Sequence, residues 1–326
     1  MILDNRNQNK NIGKVDLGVL YTILILLAIG VVMIYSASSF YSMFHYNDSM
    51  FYLKKQGIMA VIGLVAMFFM KNFDYHRLKK ITPKLLIITI PLLIAVFFFP
   101  AVNGAKRWIQ LGGLSFQPSE LTKYVVVLFL ALSIDIKGDG IKDFWTGIVP
   151  YLALSGFFAA LVLAEKNLSI AAIIMIVTFI LLFISGGKIK HLFGIVLPTL
   201  LTLAIFFIFS SDYRRARMLN FIDPWKDAAG DGYQLIQSFY ALGSGGITGL
   251  GLGQSRQKTL YMPEPHNDFI FSIIGEELGL IGCLLIISLF IIFIWRGVRI
   301  AIKAKDTYGK LLAMGITSII AVQAII

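Results

Sequence analysis

Between Met262 and Gly279 the chain reads MPEPHNDFIFSIIGEELG, a stretch that gathers carboxylates where a polar, proline-broken loop passes into an apolar run. Asp268 stands at that passage, and Glu276 and Glu277 follow about 12 Å further along if the run is helical. Carboxylates that face lipid are expensive, so near a membrane they turn toward a bundle interior or a wet cavity and mark a functional path. An ionised Asp268 there can take a proton from a reacting hydroxyl as a general base. The same residue type caps helix N-termini for local reasons, and Asn267 beside it could cap instead. At about 100° per residue, Glu276 and Glu277 project roughly 80° and 180° away from Asp268, so at most Glu276 shares its sector. Both glutamates are read as buried structural charges, with a cation such as Lys123 as a partner. Ser272, Gly275 and Gly279 form a small-residue stripe on the Asp268 face, suited to close helix packing or to leaving room for a lipid tail. His266 with Glu264 and Asp268 could hold a divalent cation, Mg or Mn. Pro265 in the same short loop suits loop shaping equally, so no metal ligands are assigned.

The elements that must position these groups are membrane helices. Of 326 residues, 57% are hydrophobic, only 14% are charged and 26 are Phe, and the mean hydropathy is +0.79. Soluble chains carry roughly 25% charged residues. Apolar runs long enough to cross about 30 Å of hydrocarbon recur along nearly the whole chain. They are continuous and rich in Leu, Ile and Phe, which excludes a closed barrel of short alternating strands. The fold class is all-α, a polytopic transmembrane bundle forming a single domain over 1–326. Helices are expected near 16–38, 53–71, 82–100, 118–136, 144–164, 167–186, 191–210, 268–295 and 311–326, with a large loop at 211–267 between the seventh and the eighth. The first run ends in Ser36-Ala37-Ser38-Ser39, which imitates a signal-peptide cleavage site. It is long enough to span and many spans follow it, so it is read as a retained first helix. The last run, from Leu311 to Ile326, stops in mid-pattern, and the chain is expected to be truncated there. The lone Cys283 lies in an apolar run and reads as a small buried hydrophobe.

Charge sets the orientation. Arg6, Lys10, Lys14, Lys71, Arg77, Lys79, Lys80, Lys84, Lys137, Lys142, Lys188, Lys190, Arg296, Arg299, Lys303, Lys305 and Lys310 fall on one side of this topology. By the positive-inside rule that side, with the N-terminus, is cytoplasmic and the 211–267 loop is extracytoplasmic. Two outer segments break the pattern. One, from Ala101 to Gln117, carries Lys106 and Arg107; the other carries Arg214, Arg215, Arg217, Lys226, Arg256 and Lys258. Long loops translocate largely regardless of charge. The sharper reading is an anionic ligand on the outer face, because Arg and Lys suit phosphate oxygens. The run GSGGITGLGLG, from Gly243 to Gly253, lacks the GK[ST] ending of a nucleotide loop and reads as a flexible or re-entrant segment. No nucleic acid partner is implied.

Three loop motifs carry a family resemblance. NGAKRWIQLGGLSFQPSELTKY runs from Asn103 to Tyr124, with Trp108 and Gly112-Gly113 suited to an interfacial loop and Pro118 to the first turn of a helix. FIDPWKDAAGDGYQLIQSFYALGSGGITGLGLGQSRQK runs from Phe221 to Lys258, and MPEPHNDFIFSIIGEELG follows. In this order, over most of the chain, they resemble the FtsW/RodA/SpoVE family, the SEDS membrane proteins of bacterial division, elongation and sporulation. The MIYSASS start and the YMPEPHNDFIF segment look closer to the FtsW/SpoVE branch. The resemblance implies a fold of ten helices when complete, about nine of them here. It implies a glycosyltransferase that polymerises lipid II into peptidoglycan at the outer face of the cytoplasmic (inner) membrane, with undecaprenyl diphosphate leaving. Implied partners are class B penicillin-binding proteins, which supply transpeptidation, and other division or elongation machinery.

Within that resemblance Asp268 falls on the catalytic position. Lys106, Arg107, Glu120 and Lys123 are carried over as contributors near the substrate path, although Glu120 and Lys123 could simply pair on one helix face. Arg214, Arg217, Lys258 and His266 join them as substrate-binding candidates. Two departures stand out. Glu165-Lys166-Asn167-Leu168-Ser169 replaces a PDLGT-like segment, putting Asn167 at an acidic position, and the family's C-terminal loop and final helix are absent. Two other functions fit some of the residues: a transporter that flips lipid II, motivated by Glu276 and Glu277, and a scaffold that only activates a penicillin-binding protein.

Overall fold

The computed structural model describes residues 15–102, 104–111, 114–230, 232–259, 261–263 and 265–325; within these the side chains of Leu111, Leu114, Tyr213 and Arg217 fall outside the description. The helices are α1 (Leu17–Tyr46), α2 (Phe51–Lys71), α3 (Leu78–Ala95), α4 (Pro118–Lys137), α5 (Val149–Ala164), α6 (Leu168–Ile184), the single turn α7 (Ile189–His191), α8 (Leu197–Phe209), α9 (Asp212–Ile222), α10 (Tyr233–Gly245), α11 (Ile270–Ile302) and α12 (Thr307–Ile325). Each expected membrane helix is present. The 211–267 segment, read from sequence as a loop, contains α9 and α10. Among the described residues, seven helical segments are long and apolar enough to cross a membrane. The other two that the sequence suggested are α6, at 17 residues, and α4, which carries Glu120, Lys123, Asp135 and Lys137.

Local chemistry sets several boundaries. Asp16 starts α1 by accepting a hydrogen bond from Val19 N at 3.1 Å, and Asn47 ends it in the left-handed conformation that Asn tolerates. Pro118 occupies the first turn of α4, where its missing N–H costs nothing. Asn167, at the departure from the family pattern, caps α6 through Ile170 N at 3.3 Å. Between β1 (Ile109–Leu111) and β2 (Leu114–Phe116) an antiparallel pairing sets Ile109 opposite Phe116; the Gly112-Gly113 turn lies outside the described residues.

The chain divides into two compact units, Met1–Asp74 with Ala241–Leu289 and Tyr75–Tyr240 with Phe290–Ile326. In the first, α1 packs on α2. α2 buries none of its residues and turns Ile58, Val61, Val65 and Phe69 outward, as a helix in lipid does. α1 instead buries Ser36, Ala37, Ser38 and Ser42. The stretch that imitates a cleavage site is therefore the mid-helix packing face of an unbroken helix. Small residues let backbones approach closely where lipid removes the hydrophobic driving force between helices.

In the second unit α4 packs against α3, α6 and α12. Its Val126, Leu130, Ala131 and Ile134 join Phe158 and Val162 of α5, Ile173 and Val177 of α6, and Leu311 and Ile319 of α12 in one buried core. Polar contacts supplement this packing, as where Thr178 Oγ1 donates to Ser155 Oγ at 2.8 Å.

Candidate functional site

The site in the first unit is built on a broken helix. α11 is interrupted at Gly279, whose φ of 67° and ψ of −165° are non-helical. A side chain would be strained at such a φ. Interruption frees backbone groups that must be satisfied away from water, and the glycine-rich segment satisfies them. The carbonyls of Glu276 and Glu277 accept from Leu250 N at 2.9 Å and Gly251 N at 3.0 Å. On the other side of the break, Leu280 N and Ile281 N donate to the carbonyls of Gly246 at 3.0 Å and Ile247 at 3.2 Å. This approach of backbone to backbone needs missing side chains. A Cβ on Gly249 (φ +82°) would run into the Glu277 carbonyl, and one on Gly245 into the Gly275 carbonyl. The run that resembled a nucleotide loop is thus a clasp on the broken helix. The small-residue stripe is also filled, with Leu242 packed where a Gly275 side chain would lie.

Both glutamate side chains grip the same turn. Glu276, 1% exposed, accepts from Arg256 N at 2.8 Å, from Gln257 N at 3.4 Å and from the Ser255 hydroxyl. Glu277, 0% exposed, accepts from Lys258 Nζ and from Ser36 Oγ of α1, each at 2.7 Å, and from Ser255 N at 3.4 Å. Lys258 Nζ also donates to Ser36 Oγ at 3.1 Å. A buried ion pair closed by a third partner satisfies the groups that burial would otherwise penalise. The cation that meets Glu277 is therefore Lys258. Lys123, suggested from sequence, lies 2.6 Å from Glu120 as an i,i+3 pair. It is buried, and the contact lies off hydrogen-bond alignment. Ser36, Ser255 and Lys258 line a cavity of about 750 Å³ with the apolar Val32 and Phe40.

Asp268 is exposed in the turn before α11, which begins at Ile270. Its carboxylate makes no hydrogen bond or ion pair among the described residues, so it does not cap the helix. His266 beside it is buried, its ring centroid 4.1 Å from that of Tyr52 and 5.4 Å from that of Tyr41. This packing ties the turn to α1 and α2. Among the described residues no group of three His, Cys, Asp or Glu could hold a metal; Glu264, the third member of the suggested cluster, lies outside them.

The remaining candidates belong to the second unit. Lys106 Nζ donates to the Phe97 carbonyl at 2.9 Å. Arg107 donates from Nε to the Glu165 carbonyl at 3.2 Å and from Nη2 to the Lys166 carbonyl. Arg214 finishes α8, donating to the Phe207 carbonyl at 2.9 Å and Ser210 Oγ at 2.8 Å, with its guanidinium 3.9 Å above the Phe207 ring. The Arg217 side chain lies outside the described residues. Two groups escaped the sequence reading. Ser36 was hidden inside a motif read for processing. Glu165, following the last residue of α5, is 1% exposed. Burial raises its carboxyl to about 7 against the opposing effects of Ser119 and Arg107. An acidic residue between two apolar helices was the available signal.

A helical, multi-pass fold with a broken helix and buried carboxylates defines an integral membrane protein whose polar chemistry sits on helix interruptions. The family described as Cell cycle protein, FTSW_RODA_SPOVE, matches residues 17–326, and the chain belongs to it. A relative named "Probable peptidoglycan glycosyltransferase FtsW" from Geobacter sp. (strain M18) is 40% identical over 95% of this chain and 85% of its own length. "Stage V sporulation protein E" of Bacillus subtilis (strain 168) is 40% identical over 95% of this chain and 86% of its own. A chain solved in work on "Structural coordination of polymerization and crosslinking by a peptidoglycan synthase complex" matches with a TM-score of 0.74 and 26% identity, covering 93% of this chain and 83% of that one. The Thermus thermophilus rod shape determining protein RodA shares the fold, with a TM-score of 0.68 at 22% identity over 95% of this chain and 83% of that one.

Proposed function

We propose that this chain is a peptidoglycan glycosyltransferase that polymerises lipid II at the outer face of the cytoplasmic membrane, with Asp268 as the base. One observation carries the assignment of the base: the exposed Asp268 carboxylate is engaged with nothing among the described residues, while the neighbouring glutamates are buried and fully used. In the reaction the acceptor sugar hydroxyl gives its proton to Asp268 as its oxygen bonds to the donor's anomeric carbon, and the bond from that carbon to the lipid diphosphate breaks. Exposed Arg256, on the turn gripped by Glu276, has a guanidinium engaged with nothing among the described residues. It is the cation we assign to the departing diphosphate. Lys106, Arg107, Arg214 and Lys258 are committed within the protein and need release to take that role. No step is assigned to Mg or Mn, because the described residues do not gather a ligand set for either. Chelation by EDTA tests a requirement.

The partner proposed is a class B penicillin-binding protein, supported by the structural likeness to a chain of a peptidoglycan synthase complex. Relatives named FtsW and Stage V sporulation protein E support division or sporulation as the setting. The decisive experiment is lipid II polymerisation by the purified protein, with and without that partner. Asp268→Asn is expected to abolish glycan strands, and normal strands from that variant would overturn the assignment. The broken α11 also favours a second reading, since interrupted helices build transporter sites. Here, however, the freed backbone groups and both buried carboxylates are satisfied within the chain. Flipping of labelled lipid II in proteoliposomes, if found without polymerisation, would favour the transporter.

A further inference from the structure

We propose that Lys258 and Glu277 are positioning residues for Asp268: their ion pair, closed over Ser36, fixes the half of α11 that leads from the Asp268 turn to the break at Gly279. The inference rests on the glycosyltransferase reading. A continuous helix would transmit the orientation of its membrane-spanning half to its first residues. At Gly279 the ladder is interrupted, so the direction of the leading half is set by what it touches. Those contacts are the clasp on the carbonyls of Glu276 and Glu277 and the two carboxylates holding the 255–258 turn and α1. These polar contacts lie at the break, while the packing of His266 against Tyr52 and Tyr41 holds the other end at the Asp268 turn. Asp268 stands eleven residues away, roughly 16 Å at the helical rise. A tilt of about 10° at the break would displace its carboxylate by nearly 3 Å, where a misplacement of about 1 Å can cost 10²-fold in rate. The free carboxylate of Asp268 has no local bond to correct such a tilt. The lock at the far end of the lever supplies the polar anchor that aims it, together with the ring packing of His266.

The test separates aiming from mere stability. Lys258→Met alone strands Glu277, so the informative protein is the full chain carrying Lys258→Met with Glu277→Met, which removes the pair whole and leaves Glu276 on its own donors. Its Tm, kcat and KM for lipid II polymerisation, and hydrogen exchange over 265–278, are measured beside wild type and Asp268→Asn. We expect a Tm within a few degrees of wild type, kcat at least about tenfold lower, KM within about threefold, and faster exchange across 265–278. Should the double variant fail to fold, Ser36→Ala keeps both charges and removes only the closing hydroxyl. We then expect kcat at least about threefold lower at unchanged Tm and KM. Wild-type kcat in a well-folded variant overturns positioning while the glycosyltransferase reading stands. A raised KM with wild-type kcat overturns it in favour of substrate binding by Lys258. Polymerisation by Asp268→Asn overturns both.

Discussion

Side chains of one chemical type have opposite circumstances in this protein. Asp268 is exposed and uncommitted, whereas Glu276 and Glu277 each meet three donors. Asp268→Asn should therefore cut polymerisation by at least about 10²-fold, the scale of lost acid–base catalysis, without moving Tm. Lys258→Met should destabilise by about 3–5 kcal/mol, because it strands Glu277 in the interior. A thermal or denaturant titration in detergent measures that loss, and Lys258→Met with Glu277→Met should recover most of it. Glu165 gives a prediction in pH. Its carboxyl titrates near 7 in the fold against an ordinary 4.5, so the fold favours the protonated form. That contribution is complete below about 4.5 and is lost as pH rises through about 7, a change of about 3 kcal/mol at 1.36 kcal/mol per pKa unit. Stability measured from pH 4.5 to 8 should fall more steeply in wild type than in Glu165→Gln.

Helices and their interruptions are joined here by backbone contacts that tolerate no Cβ. Gly249 sits at φ +82° with the Glu277 carbonyl against it, and Gly279 sits at φ +67° against the glycine segment. Gly249→Ala therefore meets both strain and a clash. It should lower Tm by several degrees, with a cost of about 1–3 kcal/mol from the backbone conformation alone. Gly243→Ala, where a Cβ meets nothing within 4 Å, should leave Tm unchanged. Parallel thermal scans of the two proteins compare them directly. The same contrast explains why a run rich in glycine is ordered: its amides are spent on the carbonyls that the helix break exposes.

The whole molecule is a multi-pass membrane protein of the FtsW/RodA/SpoVE family, and its proposed orientation is open to a labelling experiment. In a Cys283→Ala background, a cysteine at exposed Tyr261 should react with an impermeant maleimide added outside intact cells. One at exposed Trp145 should react only after the membrane is opened. Outside labelling at Trp145 would reverse the orientation drawn from the positive-inside rule. Polymerisation that appears only when a penicillin-binding partner is added would place this chain as the catalytic half of a two-protein machine.

Long apolar runs by themselves dictated membrane helices, because a backbone in lipid must satisfy its own hydrogen bonds. The loop motifs around QPSELTK and MPEPHNDFIF likewise sufficed for the family and for singling out Asp268. The partner of buried Glu277 was not legible. Glu120 and Lys123 could be read as a local i,i+3 pair, but only the tertiary structure decided that Glu277 takes Lys258. Ser36 lies 241 positions from Glu277, and no local pattern encodes a contact of that separation. Gly279 looked like one member of a packing stripe; its positive φ depends on the glycine segment that arrives to satisfy the broken ladder. Composition and spacing determine which elements form. Which side chains meet is decided when those elements pack, since burial makes a charge's partner a property of the assembled fold.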